Sequence, residues 1–160
     1  MTPAATIAEV SKDVDFIVSS VPRTNDVEKL LHAEDGVFAN ASKGTYILDT
    51  STISPIAAKE FYATAKKHDL CFIDSPMSGG IMGAEKATLT FMVGSNIDEE
   101  FERAKIVLGG MGKNIFSCGG PGTGQIAKIA NNMILGVNMI AAAEGMVMAE
   151  RLGIEPKKLQ

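Results

Sequence analysis

Two spacings of apolar residues alternate along the first 120 positions. Short apolar runs rich in β-branched and aromatic residues occupy 14–21 (VDFIVSSV), 45–49 (TYILD), 71–74 (CFID), 89–93 (LTFMV) and 114–117 (NIFS), and these read as strands, mostly buried. Between them the spacing becomes helical. Residues 25–32 put Val27, Leu30 and Leu31 on one face. The stretch 54–67 opens with Ser54 as a cap and Pro55 at the first helical position, and closes on Lys66 and Lys67, cations suited to the negative end of a helix dipole. Residues 96–108 carry Asp98, Glu99 and Glu100 early and Arg103 and Lys105 later, the same preference. Strands separated by helices of this length predict βαβ units, an α/β class and a mainly parallel sheet.

From Gly124 the helical spacing continues to about Leu152, where Gly153 and Pro156 stop it. At 1.5 Å per residue such a helix is roughly 43 Å long, a spine between two domains rather than an ordinary domain helix. Within it, Met133 to Ala149 is almost wholly apolar. Gly136, Asn138, Glu144 and Gly145 interrupt the run, and a lone Glu inside a bilayer is costly, so the expectation is a helix buried all round in protein and not a membrane span. Met133, Met139, Met146 and Met148 follow the helical spacing and are expected to pack in a core.

Composition narrows the function. The 160 residues carry a net charge of −4 with no Lys/Arg-rich run, which argues against a nucleic-acid surface. Cys71 and Cys118 stand alone, so neither a disulfide framework nor a metal site is expected. Met1 to Val10 lacks the basic and apolar regions of a signal peptide and contains no Arg, as a mitochondrial transit peptide would. His32 and His68 fall at predicted exposed helix ends, with no Ser or Cys spaced to form a triad.

Two segments carry chemistry. In Gly119-Gly120-Pro121-Gly122-Thr123-Gly124-Gln125-Ile126-Ala127-Lys128-Ile129-Ala130-Asn131-Asn132, a glycine-dense turn feeds the long helix. Lys128 and Asn132 are four apart and share a helix face, placing an ammonium beside an amide. In Asp74-Ser75-Pro76-Met77-Ser78-Gly79-Gly80-Ile81-Met82-Gly83-Ala84, which follows a predicted strand, the Ser78 hydroxyl and the unobstructed amides of Gly79 and Gly80 could cradle a carboxylate. The carboxyl ends of strands are where α/β sheets place ligands.

Asp-x-Pro-x-Ser-Gly-Gly, then Gly83-Ala84, then Leu89-Thr90-Phe91-Met92-Val93-Gly94, then Gly-x-Gly-x-x-x-Lys-x-x-x-Asn, resembles in order and spacing the β-hydroxyacid dehydrogenase family, over about Ile7 to Lys158. The resemblance implies a Rossmann-type parallel sheet followed by a long interdomain helix that begins an all-α C-terminal domain. It implies NAD as cofactor, with NADP as the other candidate, and oxidation of a small hydroxy acid. The segments LTFMVG and GTGQIAKIANNM are closest to members that oxidise 3-hydroxyisobutyrate in valine breakdown; reductases of tartronate semialdehyde, glyoxylate or succinate semialdehyde are alternatives, as is a non-catalytic binding module.

By this resemblance Lys128 is the general acid/base, Asn132 orients substrate, and Ser78, Gly79 and Gly80 hold its carboxylate. Val21, Pro22 and Thr52, at the ends of the first two predicted strands, and Asp26 contact the cofactor. No metal is implied. The partners expected are a small hydroxy acid and further copies of the full-length parent, without nucleic acid or membrane, and the eukaryotic relatives imply a mitochondrial setting.

Ala87 stands where the family usually has Gly, and Ser95 replaces a second Gly. The Gly-x-Gly-x-x-Gly turn of a first βαβ unit does not occur near Met1. Residues 1–120 are therefore expected to be the C-terminal part of the NAD-binding domain, and 121–160 the interdomain helix and the start of the helical domain, an internal part of a longer enzyme.

Overall fold

The computed structural model describes residues 3–159. Two compact units divide the chain, one ending at Lys128 and the other beginning at Ile129.

In the first unit the elements run α1 (Ile7–Ser11), β1 (Phe16–Ser19), α2 (Thr24–His32), α3 (Val37–Asn40), β2 (Tyr46–Asp49), α4 (Pro55–Lys67), β3 (Cys71–Asp74), β4 (Met77–Ser78), α5 (Gly80–Glu85), β5 (Leu89–Val93), α6 (Asp98–Leu108) and β6 (Gly112–Ser117). The helix α7 (Thr123–Arg151) starts in this unit. β1, β2 and β3 form a parallel sheet in that order, in a register that aligns Ser19, Asp49 and Asp74. β4, β5 and β6 form a second three-stranded sheet, parallel between β5 and β6. The parallel pairing and connecting helices agree with the α/β expectation. What the spacing did not predict is the division into two sheets, and the short β4, which pairs antiparallel with β5.

Side chains alternate across a strand, and β2 and β3 are covered on both faces, while Val18 of β1 is exposed. Ile47 and Phe72 join a core with Val27, Leu31, Phe38, Phe61 and Ala65 from the helices. Their neighbours Leu48 and Ile73 join Leu89, Phe91, Val93, Ala104 and Leu108. Burial on both faces explains the nearly continuous apolar runs in these strands. α4 begins as expected, with Pro55 in its first turn and Ser54 Oγ accepting the Ala57 amide at 3.5 Å.

The second unit contains the rest of α7 and a 3-10 turn at Pro156–Lys158. α7 ends in a Schellman motif: the Gly153 amide donates to Glu150 O (3.0 Å) and Ile154 to Ala149 O (3.0 Å), with Gly153 at φ +97°. The expectation that Met133–Ala149 is buried all round fails. Met133, Met139, Val137, Ile140 and Met148 are exposed. Among the described residues the second unit holds no second layer of structure against this apolar surface. By length and composition α7 is one helix apolar enough to cross a membrane. His32 and His68 are exposed, as expected.

Candidate active site at the carboxyl edge of the strands

β1, β2 and β3 end in register on Ser19, Asp49 and Asp74. Two carboxylates at the ends of adjacent buried strands are expensive unless they are hydrogen-bonded. Each carries a different load.

Asp49 Oδ1 accepts from Ser19 Oγ (2.8 Å) and from Ser51 Oγ (2.7 Å). Ser51 Oγ accepts in turn from the Val21 amide (2.9 Å). The Val21-Pro22 and Ser51-Thr52 turns, both assigned to the cofactor from sequence, are thereby locked together at the strand ends. Asp49 Oδ2 is buried with no partner among the described residues, and burial pushes this carboxyl above its usual range. Pro22 and Thr52 are exposed beside that edge, and Val21 is half-buried. The carboxyl ends of parallel strands are where α/β sheets place ligands. Asp26 lies apart from this network, in the first turn of α2, with its carboxylate paired to Arg23 Nε at 3.2 Å.

Asp74 receives the start of the long helix. Its Oδ1 accepts the Gly122 amide at 2.7 Å, and its Oδ2 accepts the Gln125 amide at 3.0 Å. These amides belong to the first-turn donors that a helix leaves unsatisfied, and a buried carboxylate answers them with charge-assisted bonds. Desolvation nevertheless dominates and raises the Asp74 carboxyl to about 6. The glycines of the turn are needed for this approach. Gly122 has φ +81°, and a Cβ there would lie 2.7 Å from Pro55 O. A Cβ on Gly124 would overlap the backbone oxygen of Met92.

Lys128 is one turn further along α7, only 9% exposed. It forms no salt bridge among the described residues. Burial alone holds its ammonium below the usual lysine range. A buried amine releases its proton more readily than an exposed one, as acid/base work requires.

Ser78 ends β4, and Gly79 and Gly80 turn into α5 with φ +137° and +60°. Both glycines are exposed, and nothing lies within 4 Å of a Cβ built on Gly80. No hydrogen bond joins this segment to Lys128 among the described residues. Asp74 is their link, because it heads the Ser75–Gly80 segment and holds the start of the lysine's helix. Asn132 is exposed, four residues beyond Lys128 on the same helix. Sequence reasoning missed the roles of Asp49, Ser51, Asp74 and Gln125. The usable signal was a carboxylate ending two successive apolar runs, TYILD and CFID.

Residues 1–120 match the NAD binding domain of 6-phosphogluconate dehydrogenase, and residues 122–160 match the NAD-binding region of NADP-dependent 3-hydroxyisobutyrate dehydrogenase. The chain is 47% identical over 152 residues to the probable mitochondrial 3-hydroxyisobutyrate dehydrogenase of Dictyostelium discoideum, covering 95% of this chain and 47% of the relative. It is 40% identical to the mitochondrial 3-hydroxyisobutyrate dehydrogenase of Bos taurus, with coverage of 95% and 45%. The structure of Mycobacterium tuberculosis 3-hydroxyisobutyrate dehydrogenase with L-serine superposes with a TM-score of 0.85 at 40% identity, covering 92% of this chain and 50% of that one. The chain thus spans about half the length of the curated relatives it matches. It belongs to the family of the 6-phosphogluconate dehydrogenase NAD-binding domain and is a homologue of the 3-hydroxyisobutyrate dehydrogenases.

Proposed function

We propose that the protein takes part in NAD-dependent oxidation of 3-hydroxyisobutyrate to methylmalonate semialdehyde, with Lys128 as the general base. One observation carries this reading: a buried lysine with no counter-ion among the described residues, on a helix whose first turn is bonded to the strand end that leads into Ser78-Gly79-Gly80. A bound nicotinamide supplies the hydride acceptor. The chain's own residues do the rest. Neutral Lys128 accepts the proton of the substrate hydroxyl, and burial shifts the lysine toward that form. The Ser78 hydroxyl and the Gly79 and Gly80 amides take the carboxylate. Val21, Pro22 and Thr52 would hold the nicotinamide side of the cofactor, and Asp26 would be an outlying cofactor contact. Asn132 orients the substrate, an assignment that rests on its four-residue spacing from Lys128 and on family resemblance.

Domain limits follow the same reading, with 1–120 as part of the cofactor domain and 121–160 as interdomain helix. So does a mitochondrial, homo-oligomeric setting without nucleic acid or membrane. The test is NADH formation from 3-hydroxyisobutyrate, followed by absorbance, for the protein and its Lys128→Ala variant. Loss of rate by about 100-fold or more in a folded variant is expected. An unchanged rate, or none from protein that holds NAD and substrate, contradicts the proposal.

A further inference from the structure

Gln125 is completely buried, and its side chain reaches across more than seventy residues of sequence. Its Oε1 accepts the Ile53 amide at 2.9 Å, and its Nε2 donates to the Ser51 carbonyl at 2.8 Å. These two groups flank Thr52, which is itself exposed. The Gln125 amide thus clasps the backbone on either side of Thr52 and leaves that side chain free. Its own backbone amide is tied to Asp74 Oδ2 at 3.0 Å, so the clasp is fixed at both ends. Lys128 follows three residues later, on the same face of the helix.

We propose that Gln125 is a positioning residue that sets the Thr52 turn and Lys128 relative to each other, and so aligns the hydride-accepting side of the site with the proton-accepting side. The inference rests on the roles given to Thr52 and Lys128 above. The neutral amide satisfies both groups where an ionised carboxylate does not, because one atom must accept and the other must donate. A carboxylate of the same shape would accept from Ile53 but repel the Ser51 carbonyl. Misplacing reacting groups by about 1 Å can cost about 100-fold in rate without a change in binding.

Gln125→Glu is therefore the sharpest variant, and Gln125→Met, which removes both bonds while filling the space, guards against a misleading fold defect. Three readouts are combined: hydrogen exchange at the Ile53 amide, the titration of Lys128 followed by NMR of the 13C-methylated lysine, and the kinetics of 3-hydroxyisobutyrate oxidation. In folded variants Ile53 should exchange at least about tenfold faster and the Lys128 titration should move. Turnover should fall about 10- to 100-fold, with KM for the hydroxy acid within about threefold. The Gln125→Glu deficit relative to the parent should shrink at acid pH, where a protonated Glu regains a donor toward Ser51 O.

Faster Ile53 exchange with turnover and the Lys128 titration unchanged would overturn the proposal and leave Gln125 a purely structural residue. If the parent protein shows no turnover, the functional reading fails by itself. The Ile53 and Lys128 measurements then still decide whether Gln125 couples the two groups.

Discussion

Asp74 holds Gly122: the carboxylate at the end of β3 accepts the amide of the glycine that precedes α7, at 2.7 Å. With the second bond from Gln125, one buried side chain fixes the origin of the helix that carries Lys128. Asp74→Ala would leave both amides buried without a partner, at a cost of about 2–4 kcal/mol. The pH dependence has a definite sign. Burial raises the Asp74 carboxyl from 3.8 to about 6, so the folded protein binds this proton more tightly than the unfolded chain. The contribution is fully present below about 4 and lost as pH rises through about 6, on the order of 3 kcal/mol in total. The stability gap between the protein and Asp74→Ala should therefore widen as pH falls from 7 to 4, measured by urea unfolding at each pH. A gap that narrows over that range would refute the assignment.

Ala87 sits with φ at +50°, in the left-handed region, between the end of α5 and β5. A Cβ in that conformation costs roughly 1–2 kcal/mol, partly offset by the greater freedom of an unfolded glycine. Ala87→Gly should stabilise the protein by about 0.5–1 kcal/mol, seen as a higher urea midpoint at unchanged slope. A lower midpoint would show that the alanine is held by contacts worth more than the strain.

Ser95 has its own occupation. Its hydroxyl donates to Glu100 Oε2 at 2.8 Å and accepts the Ile97 amide at 3.2 Å, while Lys66 Nζ bonds Glu100 Oε1 at 3.2 Å. Glu100 is buried, so loss of one of its two partners is felt. Ser95→Ala should cost about 1–2 kcal/mol, and Lys66→Met should add to it less than independently, since both act on one carboxylate. Strict additivity in a double-mutant cycle would show that the two bonds are unconnected.

Gly124 is packed so closely that a methyl group there would strike Met92 O and approach Asp74 Oδ2 to 2.9 Å. Gly124→Ala should push the first turn of α7 away from β3, destabilising the fold by about 1–3 kcal/mol. It should also lower the rate of hydroxy-acid oxidation in whatever fraction remains folded. Full activity and stability in this variant would mean that the helix start tolerates displacement.

Much of this site could be read from the sequence because it depends on local rules. Strand ends, the Ser54-Pro55 helix start and the Gly153 stop follow from apolar spacing and capping chemistry. That Lys128 and Asn132 lie four apart on one helix follows from helix periodicity, while their proposed roles rest on resemblance. α1, α3 and α5 are too short to show a period, and β4, two residues long, is defined only by its partner β5. The clasp of Gln125 over Thr52 and the bonds from Gly122 and Gln125 to Asp74 join residues 48 to 74 positions apart, which no local pattern encodes. The run around Met133 misled for the opposite reason. Apolar composition states that a surface needs cover, and it does not state which segment supplies it.

The most direct test of the account is the pH dependence of 3-hydroxyisobutyrate oxidation set beside a direct titration of Lys128. Neutral lysine is the required base, so the rate should rise with pH through the Lys128 pKa. Burial places that pKa below the ordinary 10.5. The account predicts that the kinetic midpoint and the NMR midpoint of Lys128 coincide, and that this limb disappears in Lys128→Ala. A limb that persists in the variant, or one whose midpoint differs from the Lys128 titration, would contradict it.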